Sequence, residues 1–188
     1  MTVVAEPRVV VLVEGPTDQA ALRTLARRHK RDLDAEGISI MAIGGAMNIR
    51  TALALLGAPR PDVRFAGLCD DREAPYFQRA LEDAGFGTEI SREDMERLGF
   101  YVCVRDLEDE LIRALGAPAV EVVLAQHGEL DSFRTMRKQP AWRERPPEEQ
   151  LRRFLCSQSR RGPAATWLVE ALDLDRVPRP LDRLLVYL

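Results

Sequence analysis

The chain has 188 residues, 46% of them hydrophobic and 30% charged, with a formal charge of −3. These proportions suit one compact domain with a small appendage and exclude a disordered chain, a collagen or a coiled-coil rod. No apolar run reaches the roughly 18 residues of a membrane span and no basic, then apolar leader opens the sequence, so a cytoplasmic protein without membrane association is expected.

Residues 8–13 form a short apolar, β-branched run that reads as a buried strand and ends at Glu14-Gly15-Pro16-Thr17-Asp18. Thr17 or Asp18 can cap the helix that follows, where Ala21, Leu22, Leu25 and Ala26 recur at helical spacing. A second strand at 38–43 breaks at Gly44-Gly45 before a helix near 47–57. Val63 to Cys69 gives a third, followed by Asp70-Asp71-Arg72-Glu73 and a helix over about 74–84; Phe100 to Val104 gives a fourth, running into Asp106-Leu107-Glu108-Asp109-Glu110 and a helix to Leu115. Four strand-turn-helix repeats predict an α/β fold with a mostly parallel, four-stranded, doubly wound sheet. From 117 onward short helical segments at 120–126, 130–136, 148–155, 164–172 and 181–188 alternate with prolines, which predicts a helical extension over 117–188 behind an α/β domain of residues 1–116.

The charge divides along the same line. Residues 1–115 carry a net −5 and residues 116–188 a net +2, and between 132 and 161 nine basic residues face three acidic ones. Ligands of parallel α/β sheets bind at the carboxyl ends of the strands, which is where the first, third and fourth strands leave their carboxylates. Several carboxylates at one sheet edge repel one another unless a cation joins them, and oxygen donors of this kind suit Mg²⁺ or Mn²⁺, with two ions as the arrangement that cleaves phosphodiesters. Capping explains Asp18 equally well, and first-turn dipole complementarity explains Asp109 and Glu110. A charge at Glu14, directly after an apolar strand, has no folding role of that kind. Zinc is not expected, because the chain has only His29 and His127 and no Cys pair at zinc spacing; Cys69, Cys103 and Cys156 read as reduced core residues.

The ordered series of strand ends, Val13-Glu14-Gly15-Pro16-Thr17-Asp18, Gly44-Gly45-Ala46-Met47-Asn48, Asp70 and Asp106-Leu107-Glu108, resembles the Toprim domain in the version found in nucleases of the overcoming-lysogenization-defect (OLD) family, over roughly residues 6–115. The resemblance implies the Rossmann-like Toprim sheet and a Mg²⁺- or Mn²⁺-dependent centre that cleaves DNA, with RNA left open. It makes Glu14 a principal metal ligand or acid/base group, Asp18 a second ligand, Asp70 a bridging ligand, and Asp106 with Glu108 the far side of the metal pair. Toprim sequences carry alternate aspartates after the third strand, whereas here Asp71 and Arg72 follow Asp70, so the next carboxylate is Asp71 or, one helical turn on, Glu73; Glu73 is favoured. OLD-type nucleases also imply a basic residue near the metals, for which Lys138 and Arg161 are the candidates.

Arg134, Arg137, Lys138, Arg152, Arg153, Arg160 and Arg161, interleaved with Phe133, Trp142 and Phe154, suit nucleic-acid backbone binding, although aromatics at such spacing more often build a core. The chain lacks a G-x-x-x-x-G-K-[ST] loop, so a free-standing Toprim protein, or one whose OLD-type ATPase is a separate chain, is expected, and an oligomer is compatible with the sequence. The alternative to a nuclease is a non-catalytic Toprim module that binds nucleic acid or docks a partner, with Arg72 standing in for a metal's charge. A phosphoacceptor receiver domain would need its acidic pair after the first strand, and a dinucleotide-binding domain a G-x-G-x-x-G loop; the chain has neither.

Overall fold

In a computed structural model, which describes residues 6–157 and 161–188 with the side chains of 161 and 162 left aside, four strands form one parallel sheet. They are β1 (Val9–Val13), β2 (Ile38–Ala42), β3 (Arg64–Asp70) and β4 (Phe100–Cys103), in the order β2-β1-β3-β4. β1 is hydrogen-bonded on both sides, with Val11 opposite Ile40 and Ala66, and all five of its residues are buried. A strand enclosed on both faces needs a continuous apolar run, and Val-Val-Val-Leu-Val supplies it. The order reverses between β1 and β3, so their carboxyl ends flank the crevice where such sheets hold ligands.

Alternate residues of β1 serve two cores. Val10 and Leu12 pack with α2 (Ile49–Leu55), α3 (Ala74–Asp83) and α4 (Arg92–Arg97), through Leu53, Phe77, Leu81 and Met95. Val9, Val11 and Val13 face α1 (Pro16–Arg28) and α5 (Leu107–Leu115), and this second core runs on without a break into the helices that follow: α6 (Ala117–Gln126), α7 (Leu130–Arg137), α8 (Pro147–Leu155), α9 (Arg161–Ala171) and α10 (Arg179–Tyr187). Phe133 and Phe154 are inside it, 5.4 Å apart and edge to face, so these two aromatics are core. Trp142 is half-buried under the Arg153 guanidinium.

Two departures from the expected elements have local causes. The helix α4 falls in a stretch for which no element is predicted: Ser91 caps it by accepting from the Asp94 N–H at 3.1 Å, while the Asp94 carboxylate accepts from the Ser91 N–H at 3.0 Å. That reciprocal pair is a capping box legible in Ser-Arg-Glu-Asp. And α6 begins at Ala117 because Gly116, with φ of 80°, turns the chain directly from one helix into the next. Gly67 is required for packing: a Cβ there would lie 2.6 Å from the Phe100 ring and 2.8 Å from the Leu12 carbonyl. Among the described residues no helix is long and apolar enough to cross a membrane.

Candidate metal centre

The carboxyl ends of β1, β3 and β4 open into a cleft of about 550 Å³ lined by Glu14, Asp18, Asp70, Glu73, Asp106 and Glu108, together with Arg72, Arg105, Arg152 and Cys156. Six candidate carboxylates thus share one cavity. They divide into groups. Glu14, Asp70 and Glu73 each bring an oxygen within 4.8 Å of the others, and Asp106, Glu108 and the Cys156 sulfur form a second set of the same tightness.

Glu14 is the first residue beyond β1, and its Oε1 accepts from the Asp70 N–H at 2.9 Å, which ties two strand ends together. Burial, then the adjoining Glu73 carboxyl, push the Glu14 carboxyl up to about 9, against the opposing pull of that N–H. Asp70 is pushed up to about 8, first by burial and then by the charges of Asp106, Asp18, Glu73 and Glu108. Glu73 joins them from the residue before α3, and its Oε2 is buried with no hydrogen-bond partner among the described residues. Buried carboxylates are normally satisfied. Here two carboxyls resist ionisation and a third keeps an unanswered oxygen, which is the electrostatic condition that a divalent cation relieves. Three hard oxygen donors within one ion's reach fit Mg²⁺ or Mn²⁺.

Asp71, by contrast, is exposed and forms an ion pair with Arg92 on α4. Asp18 sits in the first turn of α1, where its Oδ2 accepts from the Gly15 N–H at 2.8 Å. Both oxygens of Asp106 are engaged: Oδ1 caps α5 by accepting from the Asp109 N–H at 2.9 Å, and Oδ2 accepts from Arg152 Nε at 2.7 Å and from its Nη2. Asp109 and Glu110 serve the fold, the first held by Arg113 at 2.9 Å, the second accepting from the Val104 N–H at 2.8 Å. The glycine pair adopts φ values of 74° and 113°, closed to most side chains, and the Gly45 N–H donates to the Glu14 carbonyl at 3.0 Å. Asn48 braces this turn through the Ile43 and Gly44 carbonyls.

Of the basic candidates Arg152 reaches the cleft, where it pairs with Asp106, and the other described ones disperse. Lys138 caps the far end of α7, exposed and outside the residues that line the cleft. Arg137 pairs with Glu121 at 3.1 Å, Arg134 with Asp131 at 3.5 Å, and Arg153 covers Trp142. Arg160 and the Arg161 side chain lie outside the described residues. Arg105, not among the sequence candidates, borders the cleft next to Asp106; the signal for it is its place two residues beyond β4, at a strand end. Cys156, expected in the core, is half-buried at the end of α8 and faces the cleft, whereas Cys69 and Cys103 are buried.

Comparison with known proteins agrees with this geometry. Residues 8–70 match the family model for the overcoming lysogenization defect protein-like TOPRIM domain. Among solved structures, the C-terminal region of the Burkholderia pseudomallei OLD protein superposes with a TM-score of 0.72 at 21% identity, covering 96% of both chains. The C-terminal region of the Xanthomonas campestris pv. campestris OLD protein does so with a TM-score of 0.72 at 23% identity, covering 96% of this chain and 91% of that one. No curated protein gives a significant match. At these identities the structural likeness speaks for the fold, and the family model for the strand ends that carry Glu14 and Asp70: the chain has the fold of the OLD C-terminal regions, and its residues 8–70 are similar to the OLD-like TOPRIM domain.

Proposed function

We propose that this cleft binds Mg²⁺ or Mn²⁺ and hydrolyses phosphodiester bonds of nucleic acid, with DNA as the substrate. The observation that carries the reading is the convergence of Glu14, Asp70 and Glu73, because no folding role accounts for three carboxylates within 4.8 Å, two of them resisting ionisation. A divalent ion held there supplies Lewis acidity to a phosphate oxygen and lowers the pKa of water. The protein's own contribution is position. Glu14 is fixed by the Asp70 N–H, Glu73 is fixed by the start of α3, and Arg72 and Arg105, both exposed at the rim, offer charge to the phosphates on either side of the scissile bond. Asp106 and Glu108 are the further carboxylates that a two-ion mechanism would draw on. The OLD relatives support DNA as substrate and an ATPase as the partner class.

The Asp106–Arg152 pair favours a second reading, a binding module whose second position is already neutralised. Supercoiled plasmid incubated with Mg²⁺ or Mn²⁺ decides between them. The nuclease reading expects nicking that falls at least about 100-fold in Glu14→Gln and is retained in Asp71→Asn, since loss of a ligand removes several kcal/mol of charge stabilisation. Equal nicking by wild type and Glu14→Gln, or none with either ion on single- and double-stranded substrates, would leave the binding module.

A further inference from the structure

We propose that Arg152 is a built-in cation at the second carboxylate position of the cleft: the resting protein takes one divalent ion, at Glu14, Asp70 and Glu73, and admits a second at Asp106 and Glu108 only when Arg152 moves to a phosphate oxyanion. The proposal rests on the reading that the cleft binds divalent cations.

The two carboxylate groups are of similar tightness but differ in how their charge is answered. Among the described residues no arginine pairs with Glu14, Asp70 or Glu73, and Glu73 Oε2 accepts no hydrogen bond. Asp106, only 8% exposed, is answered completely, one oxygen by the N-terminal turn of α5 and the other by the Arg152 fork. An ion between Asp106 and Glu108 would have to share Oδ2 with that guanidinium, and two cations on one carboxylate oxygen repel. Asp106 and Arg152 are 46 residues apart, so the contact exists only because α8 packs against α5.

The same guanidinium has an alternative partner of matching geometry. A planar guanidinium fork fits carboxylate and phosphate alike. Arg152 lines the cleft and its side chain is one-third exposed, so it can turn from Asp106 to a phosphate without movement of the helix that carries it. Asp106 Oδ2 would then be released in the presence of substrate, and the ion that enters would replace the charge that left. Ion occupancy at the second position thereby becomes conditional on a bound phosphodiester.

Mn²⁺ stoichiometry on the full chain tests this, read by calorimetry and by the spin-coupled signal of an ion pair in electron paramagnetic resonance. Wild type is expected to bind one ion per chain, Arg152→Lys one, and Arg152→Gln two; wild type saturated with dimethyl phosphate, an unreactive phosphodiester, is expected to bind two. The wild-type arm with dimethyl phosphate does not depend on a variant folding. Two ions on wild type without phosphodiester, or one ion on both Arg152→Gln and the diester-saturated wild type, overturns the proposal while leaving a metal-binding cleft intact. No ion on any form overturns the parent reading instead.

Discussion

The Asp70 main-chain N–H and the Glu14 carboxylate are joined across 2.9 Å, so the ends of β1 and β3 are fixed to each other through the same side chain that leads the acidic cluster. Glu14 is therefore positioned by a bond that a neutral amide can also accept, while its charge is a burden to the metal-free fold. In Glu14→Gln the bond is kept and the charge removed. The metal-free variant is expected to melt about 2 to 4 °C above wild type, the shift that about 1 kcal/mol produces in a chain of this size. Its Mn²⁺ affinity is expected to fall at least about tenfold. Differential scanning calorimetry with and without Mn²⁺ checks both, and a variant that melts lower without metal would show that Glu14 is not under electrostatic strain.

The pH dependence follows from the same carboxyls. Glu14 and Asp70 titrate in the fold at about 9 and about 8, against ordinary values of 4.5 and 3.8. A group raised in the folded state contributes its stability fully below the unfolded value and loses it as pH climbs through the folded one. Their contribution to the metal-free protein thus declines between about pH 4 and pH 9. Mn²⁺ competes with these protons, so its stabilising shift grows over that window. Melting curves at pH 6 and pH 8.5 should show the larger Mn²⁺ shift at pH 8.5; equal shifts would contradict the assignment.

Asp106 is a fold element as well as a candidate ligand. Asp106→Ala removes the cap of α5 and strands Arg152, and an expected loss of about 2 to 4 kcal/mol combines a lost cap with a broken, partly buried pair. Urea unfolding of the metal-free protein measures it. Asp71→Asn, which loses only an exposed pair with Arg92, is expected to change stability by less than about 1 kcal/mol.

Phe133 ties the C-terminal helices to the rest of the molecule, fully buried against Phe154. Phe133→Ala is expected to cost about 3 to 5 kcal/mol in the unfolding transition of the whole chain. Because one core runs from β1 through α9 and α10, that transition should stay single; a separate, earlier melting of the helices would contradict the shared core.

The elements were legible in the sequence where one local signal decided them. The four strands are apolar runs that stop at a charge or a glycine, and β1 at the centre is the most continuous of them. α4 was passed over although Ser91 and Asp94 announce it, because its six residues include only Met95 as a buried apolar anchor and no periodicity emerges. At the site, strand-end logic leads to Glu14, Asp70 and Glu73, all delivered by the sheet and its first turns. Arg152 escaped as a cleft residue because its approach to Asp106 depends on how α8 packs, and no spacing encodes that. Lys138 is a candidate only through the basic residue that the OLD resemblance implies, and no motif in the sequence ties it to the strand ends; it lies at the exposed end of α7.

The central claim, a divalent-cation centre at Glu14, Asp70 and Glu73, is tested most directly by anomalous diffraction from a crystal of this protein soaked in Mn²⁺. The account predicts a peak about 2 Å from carboxylate oxygens of these three residues, absent from Glu14→Gln. A peak that touches none of them, or no peak at saturating Mn²⁺ near pH 8, would contradict it.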